Sequence, residues 1–110
     1  MPQPLRLTSS RDFARIFSSG TRGSSALVTC VVAAGDPASP PRVGLAVGGG
    51  VGNAVKRNRA RRLLREAARA TCIKPGSDVV LVAKPPLAQS SLPDVRVALD
   101  MALERAGASC

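Results

Sequence analysis

The segment 53–72 constrains the fold of this chain more than any other. Seven of the sixteen basic residues lie between Lys56 and Arg69, where Glu66 is the single acid. At 100° per residue, small and aliphatic side chains fall on one side and arginines on the other, which predicts an amphipathic helix packed on a core. The predicted core face is Ala60, Leu63, Leu64, Ala67, Ala68 and Thr71, and the basic face is Asn58, Arg61, Arg62, Arg65 and Arg69.

The basic face is unusual because it consists almost entirely of arginine. Arg57, Arg61, Arg65 and Arg69 recur every four residues, so like charges lie about 6 Å apart and each pair costs a few tenths of a kcal/mol. Guanidinium groups bind phosphate bidentately and stack on bases. The pattern therefore predicts a polyanionic partner. The alternatives are a solvated face and a membrane-surface helix, for which alanines and two leucines are a weak anchor.

Length and composition limit the architecture. The 110 residues, 45% hydrophobic, predict one domain over 1–110. The longest apolar run, residues 26–34, contains Thr29 and falls short of the roughly 20 residues that span a bilayer. The first residues have no apolar stretch typical of a signal peptide. We expect a cytoplasmic protein with no membrane partner.

The chain offers few groups for protein-borne catalysis. It contains no histidine, and its seven carboxylates form no evident acid/base pair. The three cysteines have no short spacing, which predicts neither a disulfide nor a metal site. We expect Cys30 and Cys72 to be small buried hydrophobic residues and Cys110 to be a free terminal thiol. An independent enzyme using Cys30 or Asp78 stays a minor alternative.

The remaining segments predict the order α-β-β-α-β-α. Ser9 and Asp12 start a helix over residues 10–19 that ends at Gly20. Runs 26–34 and 42–47 predict an antiparallel hairpin, and 78–83 predicts a third, apolar strand. Ser91 opens a last helix that ends at Gly107. The fold class is thus an α/β (α+β) two-layer sandwich with a small mixed sheet.

The glycines of 48–52 match no phosphate-loop pattern. They indicate a turn or a flexible approach to RNA, with Gly52 or Asn53 capping the basic helix.

The segment VGNAVKRNRARRLLREAAR, with Arg57-Asn58-Arg59 at its centre, resembles the signature of the bacterial ribonuclease P protein subunit. RL-x4-DF-x2-IF from Arg6 to Phe17, RVGLAV and VLVAKP extend the resemblance along nearly the whole chain. It implies a protein cofactor to a catalytic RNA that removes the 5′ leader of precursor tRNA with Mg²⁺. It also implies the fold of a ribosomal protein S5 domain, with a left-handed crossover that departs from the usual rule.

The same resemblance implies two binding surfaces and no catalytic residue or protein-bound metal. We expect ribonuclease P RNA and precursor tRNA as partners, and no DNA. Residues implied to bind the catalytic RNA are Lys56, Arg57, Asn58, Arg59, Arg61, Arg62, Arg65 and Arg69, and those implied to bind the leader are Arg6, Phe13, Phe17 and Lys84. Either phenylalanine could instead belong to the core.

Two departures from the family pattern remove two expected phosphate contacts and weaken the expected leader stacking. Gly48, Gly49 and Gly50 stand where a serine and two lysines are common, and the first long strand lacks the usual aromatic residue. The binding of RNA should therefore depend more on the arginine helix. A structural nucleic-acid binder, such as a ribosomal or DNA-coating protein, is the main alternative function.

Overall fold

The computed structural model describes residues 4–110, which form five strands and three α-helices. The helices are α1 (Ser10–Ser19), α2 (Ala54–Ala70) and α3 (Leu92–Ala106). The strands are β1 (Leu5–Arg6), β2 (Thr21–Ser24), β3 (Val28–Ala34), β4 (Arg42–Ala46) and β5 (Ser77–Ala83). The predicted helices and three longer strands are all present. The short strands β1 and β2 were not predicted, because neither carries an apolar alternating pattern.

The strands form one mixed sheet in the order β1-β4-β5-β3-β2. Helix α2 connects β4 to its parallel neighbour β5, and β1 is parallel to β4 at the edge. Strand β3 runs antiparallel to both β5 and β2. The predicted α+β class and mixed sheet are confirmed.

The predicted hairpin between β3 and β4 is wrong, because β5 lies between these two strands. Gly44 and Val31 are both in register with Val80, one on each side of it. Residues 35–41 therefore cross from one side of β5 to the other instead of making a tight turn. The hairpin partner of β3 is β2, which precedes it in the chain.

Helices cover both faces of the sheet, so the layers number three and not the predicted two. On one face, α2 and α3 pack on strand residues such as Cys30 and Leu81. On the other, Ile16 of α1 packs on Val31 and Val80, as expected where side chains alternate between faces. Gly44 lies directly beneath the Phe13 ring, and a Cβ there would overlap it. The absence of a side chain in β4 thus lets α1 approach the sheet.

Polar caps define the helix ends. Ser9 Oγ accepts from the Asp12 backbone N–H, and Ser91 Oγ accepts from that of Asp94. Asn53, not Gly52, caps α2, with Oδ1 accepting from the Lys56 backbone N–H at 3.0 Å. The glycine run forms a 3-10 turn, Gly49–Val51, anchored by the buried Val51. The predicted turn is confirmed.

The predictions for Cys72 and Cys110 are wrong, since the two residues form a disulfide. The chain end returns alongside the segment after α2. Ile73 bridges to Ser109, and the Lys74 N–H donates to the Ala108 carbonyl at 2.8 Å. This pairing brings the cysteine Cα atoms within 5.6 Å although 38 residues separate them in sequence. Spacing along the chain could not reveal it. Cys30 is buried, as predicted.

Candidate nucleic-acid interface

Helix α2 has the two faces that its sequence predicts. Ala60, Leu64 and Ala67 are fully buried against the sheet and α3, and Leu63 is half-buried. On the opposite side, the exposed side chains include Arg62, Arg65 and Arg69, with Arg61 half-buried. The apolar stripe fixes the rotation of the helix and thereby directs the arginines outward.

The arginines of α2 have no acidic partner within the described part of the chain. The four ion pairs among residues 4–110 all involve Arg15 or Arg42 with Asp12 or Asp78. Since like charges repel along the helix, this face carries an unbalanced positive potential that attracts an anionic ligand. Its length, 17 residues, corresponds to about 25 Å at 1.5 Å per residue. A polyanion several phosphates long fits this face better than a small anion.

Two arginines of the central motif also hold neighbouring backbone in place. Arg57 Nη1 donates to the Gly52 carbonyl at 2.7 Å. Arg59 Nε donates to the Ala88 carbonyl at 2.6 Å, in the 3-10 helix Pro85–Gln89. Asn58 Oδ1 accepts from Arg61 Nη1 at 3.0 Å. Each guanidinium keeps further N–H donors for a ligand. Sequence analysis did not predict this structural role, since no local spacing pairs Arg59 with Ala88.

A cleft of about 450 Å³ opens at the edge of the sheet, between β1, β4, α1 and α2. Its lining includes Arg6 and Phe13 together with Arg61, Arg65 and Arg69 of the basic face. Phe17 and Lys84 are absent from this lining. Of the four predicted leader residues, Arg6 and Phe13 thus line a cleft that also reaches the arginine helix, and Phe17 and Lys84 do not line it.

Phe17 and Lys84 lie outside the lining of the cleft, Phe17 beside Phe13 on α1. The Phe17 ring is half-buried, with its centroid 6.5 Å from that of Phe13 and 5.7 Å from the Arg22 guanidinium carbon. Lys84 Nζ donates to the Ser25 carbonyl at 2.5 Å. Arg22, in the unpredicted strand β2, is exposed and adds a cation beside Phe17. Sequence analysis missed it because its strand was not recognised.

Both phenylalanines serve the core as well as the surface. They pack against the cluster of Leu7, Ile16 and Val31 without being fully buried. The two interpretations left open by the sequence, core or contact surface, therefore do not exclude each other.

An ionic network anchors α1 to the sheet. The buried Asp78 carboxylate accepts from Arg42 Nε and Nη2 at 2.9 and 2.8 Å, and it also pairs with Arg15 of α1. Hydrogen bonding from Arg42 lowers the pKa of Asp78 against the opposing effect of burial, and raises the pKa of Arg42. Asp78 is thus an ionised structural acceptor and is unsuited to act as a general base.

Cys30 is equally unsuited to nucleophilic chemistry, because burial raises its pKa to about 12. No grouping of three or more histidine, cysteine or acidic residues in residues 4–110 could hold a metal ion. These environments oppose the minor alternative of an independent enzyme using Cys30 or Asp78. In the same range, no helix is both long and apolar enough to cross a membrane.

Comparison with known proteins identifies the family. A family model described as Ribonuclease P matches residues 1–107. The chain belongs to this family. The ribonuclease P protein component of Beutenbergia cavernae is 38% identical over 109 residues, covering 97% of this chain and 92% of the relative. That of a Synechococcus strain is 37% identical and covers 96% of this chain and 84% of the relative.

Solved structures of ribonuclease P proteins share the fold. The Thermotoga maritima protein has a TM-score of 0.76 at 27% identity, with 86% of this chain and 90% of that chain covered. The Staphylococcus aureus protein, at 24% identity, has a TM-score of 0.78 and coverages of 90% and 92%. Ribonuclease P proteins are subunits of a ribonucleoprotein endoribonuclease that acts with its RNA subunit in tRNA 5′ processing, and this chain has that role.

Proposed function

We propose that the basic face of α2 binds the catalytic RNA of ribonuclease P and thereby assists removal of the 5′ leader from precursor tRNA. The observation that carries this proposal is the arginine row, which has no acidic partner among residues 4–110 and is directed outward by the buried stripe of the same helix. Arginine suits phosphate because its planar fork donates two parallel hydrogen bonds. The RNA contacts would come from Lys56, Arg57, Asn58, Arg59, Arg61, Arg62, Arg65 and Arg69.

The leader of precursor tRNA would lie along α1 and the sheet face beneath it. Phe13 and Phe17 are half-buried there, so part of each ring is open to stack on an unpaired base. Arg22 extends this surface beyond Phe17. Lys84 holds a backbone carbonyl with one ammonium hydrogen and has two further hydrogens for a phosphate. Arg6, at the sheet edge, would add a cation near Phe13.

Magnesium would be bound mainly by the RNA. The described part of the chain lacks a cluster of three or more carboxylate, cysteine or histidine ligands, so its residues do not suit a protein-held Mg²⁺ site. The chain would contribute positive charge and leader binding, and the RNA and its metal ions would carry out the cleavage. We place this activity in the cytoplasm.

The direct test is precursor-tRNA cleavage by the cognate catalytic RNA at low Mg²⁺ and near-physiological salt, with and without this protein. Strong stimulation supports the subunit function. Tight, salt-dependent RNA binding without stimulation would instead indicate the structural RNA binder, the main alternative. Cleavage by the protein without the RNA subunit would indicate an independent enzyme.

A further inference from the structure

The segment that follows α3 packs back against the end of α2. Ala108 is fully buried, and its N–H donates to the Leu103 carbonyl at 2.9 Å. Ile73, just after α2, is buried in the same core cluster and bridges to Ser109. The Lys74 N–H donates to the Ala108 carbonyl at 2.8 Å. These contacts hold the two segments together without using a sulfur atom.

This packing places Cys72 and Cys110 within bonding reach of each other at the surface. Their Cα atoms are 5.6 Å apart, and both residues are exposed, so a small reagent can reach either sulfur. Cys30 differs, because it is fully buried and burial raises the pKa of its thiol to about 12. The fold thus separates one exposed cysteine pair from one inert cysteine.

Cations flank one member of this pair. Arg69 and Lys74, both exposed, lie three residues before Cys72 and two residues after it. Positive charge attracts an anionic reagent and raises the rate of encounter. A low-molecular-weight disulfide with carboxylate groups, such as glutathione disulfide, therefore suits Cys72 in both its chemistry and its charge.

We propose that Cys72 and Cys110 form a thiol–disulfide exchange site for low-molecular-weight disulfides, in which Cys72 attacks and Cys110 resolves. The Cys72 thiolate attacks one sulfur of the small disulfide, forms a mixed disulfide and expels a small thiolate. The Cys110 thiolate then attacks the Cys72 sulfur, forms the Cys72–Cys110 bond and expels the other small thiolate. The two cysteines lose two electrons and two protons, and the small disulfide takes them up to become two thiols.

Resolution by Cys110 keeps the end of the basic face free of a bound anion. This consequence rests on the proposed function, because it takes Arg69 as a contact to RNA. A glutathione left on Cys72 would carry net negative charge three residues from Arg69 and compete there with phosphate. The Cys72–Cys110 bond removes this adduct and adds no charge. Oxidation thus ends in a form that retains the proposed RNA-binding face.

Intact-mass analysis of the folded, reduced protein after addition of glutathione disulfide tests the exchange. Wild type should lose two hydrogen atoms and keep no adduct. Cys110→Ser should retain one glutathione, located on Cys72 by peptide mapping, and Cys72→Ser should react about tenfold more slowly. Cys30 should stay unmodified in every case, because it is buried. A persistent adduct on wild type, no adduct on Cys110→Ser, or equal rates for the two variants would overturn the proposal.

Equilibration in glutathione redox buffers tests whether the fold holds the pair together. The ratio of bonded to reduced protein gives an effective concentration of one cysteine at the other. It should be roughly 700-fold higher in the folded protein than in concentrated urea, since the unfolded chain must close a loop between cysteines 38 residues apart. Equal effective concentrations in the two conditions would show that the fold does not bring the cysteines together.

Affinity for the RNA subunit tests the consequence separately. Glutathionylated Cys110→Ser should bind about fivefold more weakly than the unmodified variant near 0.15 M salt, the loss of one phosphate contact. Oxidised and reduced wild type should bind within about twofold of each other. Equal affinities of the modified and unmodified variant would disprove the consequence for RNA binding. Because the mass analysis contains no RNA, failure of the exchange site is distinguishable from failure of the proposed function.

Discussion

Arg59 Nε donates to the Ala88 carbonyl at 2.6 Å and ties the start of α2 to the segment after β5. The side chain of Arg62, one turn later, is exposed and takes part in no hydrogen bond or ion pair among residues 4–110. Two arginines of α2 thus differ in role: Arg59 holds neighbouring backbone, and Arg62 is free to contact a ligand.

This difference predicts opposite outcomes for two alanine variants. Arg59→Ala should lower the free energy of unfolding by about 1.5 kcal/mol, since it removes a charge-assisted hydrogen bond to a buried residue. Arg62→Ala should leave stability within about 0.5 kcal/mol and weaken only RNA binding. Urea denaturation and RNA-subunit affinity, measured for both variants, check this. Equal stabilities would show that the contact to Ala88 contributes nothing.

The Asp78 network should make stability depend on pH in the acid range. The pKa of Asp78 is lowered in the folded protein, chiefly by hydrogen bonds from Arg42. The stability that ionised Asp78 contributes is therefore complete above its pKa in the unfolded chain, about 3.9. It is lost as pH falls through the lower pKa of the folded protein.

Asp78→Asn should lower the free energy of unfolding at pH 7 by about 3 kcal/mol. This is near the lower end of the cost of breaking a buried ion pair, because the Arg15 and Arg42 side chains reach solvent. The variant should also lose stability less steeply than the wild type as pH falls below about 4. Thermal unfolding across this range measures both effects, with exposed Asp100→Asn as the control. Parallel pH curves for Asp78→Asn and the wild type would refute the role of the network.

The Cys72–Cys110 bond should stabilise the protein only under oxidising conditions. The two cysteines are 38 residues apart in sequence. Closing a loop of that length stabilises the folded protein by about 4 kcal/mol in the chain-entropy description. Cys72→Ser and reduced wild type should therefore unfold at the same denaturant concentration, below that of oxidised wild type. Because cytosolic thiols are kept reduced, we expect the reduced form in a cytoplasmic extract. Identical unfolding of oxidised and reduced wild type would contradict a stabilising bond.

The glycine turn before α2 should accept the lysines that the family pattern commonly has there. A Cβ at Gly49 or Gly50 would meet no atom within 4 Å, and both are exposed. Gly49→Lys with Gly50→Lys should retain stability within about 0.5 kcal/mol. Two added phosphate contacts should also steepen the dependence of log K on log salt by about 1.5. Gly52→Lys is the control, because φ of +133° at Gly52 strains any side chain. An unchanged salt dependence in the double variant would show that the turn lies away from RNA.

The helices were predictable because their signals are local. Ser9 and Ser91 cap their helices through neighbours three residues away, and the spacing of Ala60, Leu64 and Ala67 defines the buried side of α2. The basic face of α2 follows from that same period. Local pattern therefore gave both the helix and its candidate ligand-binding side.

The features that sequence analysis missed depend on contacts between distant segments. Three such features are the position of β5 between β3 and β4, the Cys72–Cys110 bond and the Arg59 contact to Ala88. In each, only the complete fold brings the residues close in space. The cleft has the same origin, because β1 brings Arg6 to the basic helix without any motif of its own.

Neutralisation of about six phosphates by α2 should give a slope of log K against log salt near −4 to −5, between the single-strand and duplex coefficients. Titration of the RNA subunit at several salt concentrations measures this slope. Arg62→Ala should reduce its magnitude by about 0.8, one phosphate contact. A slope near −1 for the wild type would exclude binding along the whole basic face.

The most direct test of the central claim is the affinity of the RNA subunit for an Arg61→Ala, Arg65→Ala double variant. The control is Lys74→Ala with Arg96→Ala, which removes the same charge from exposed positions outside α2. We expect the α2 variant to bind roughly 20-fold more weakly near 0.15 M salt, since each lost phosphate contact changes log K by about 0.7. The control should bind within about threefold of wild type. Equal affinities for the two double variants would show that net charge, and not the arginine face of α2, determines RNA binding.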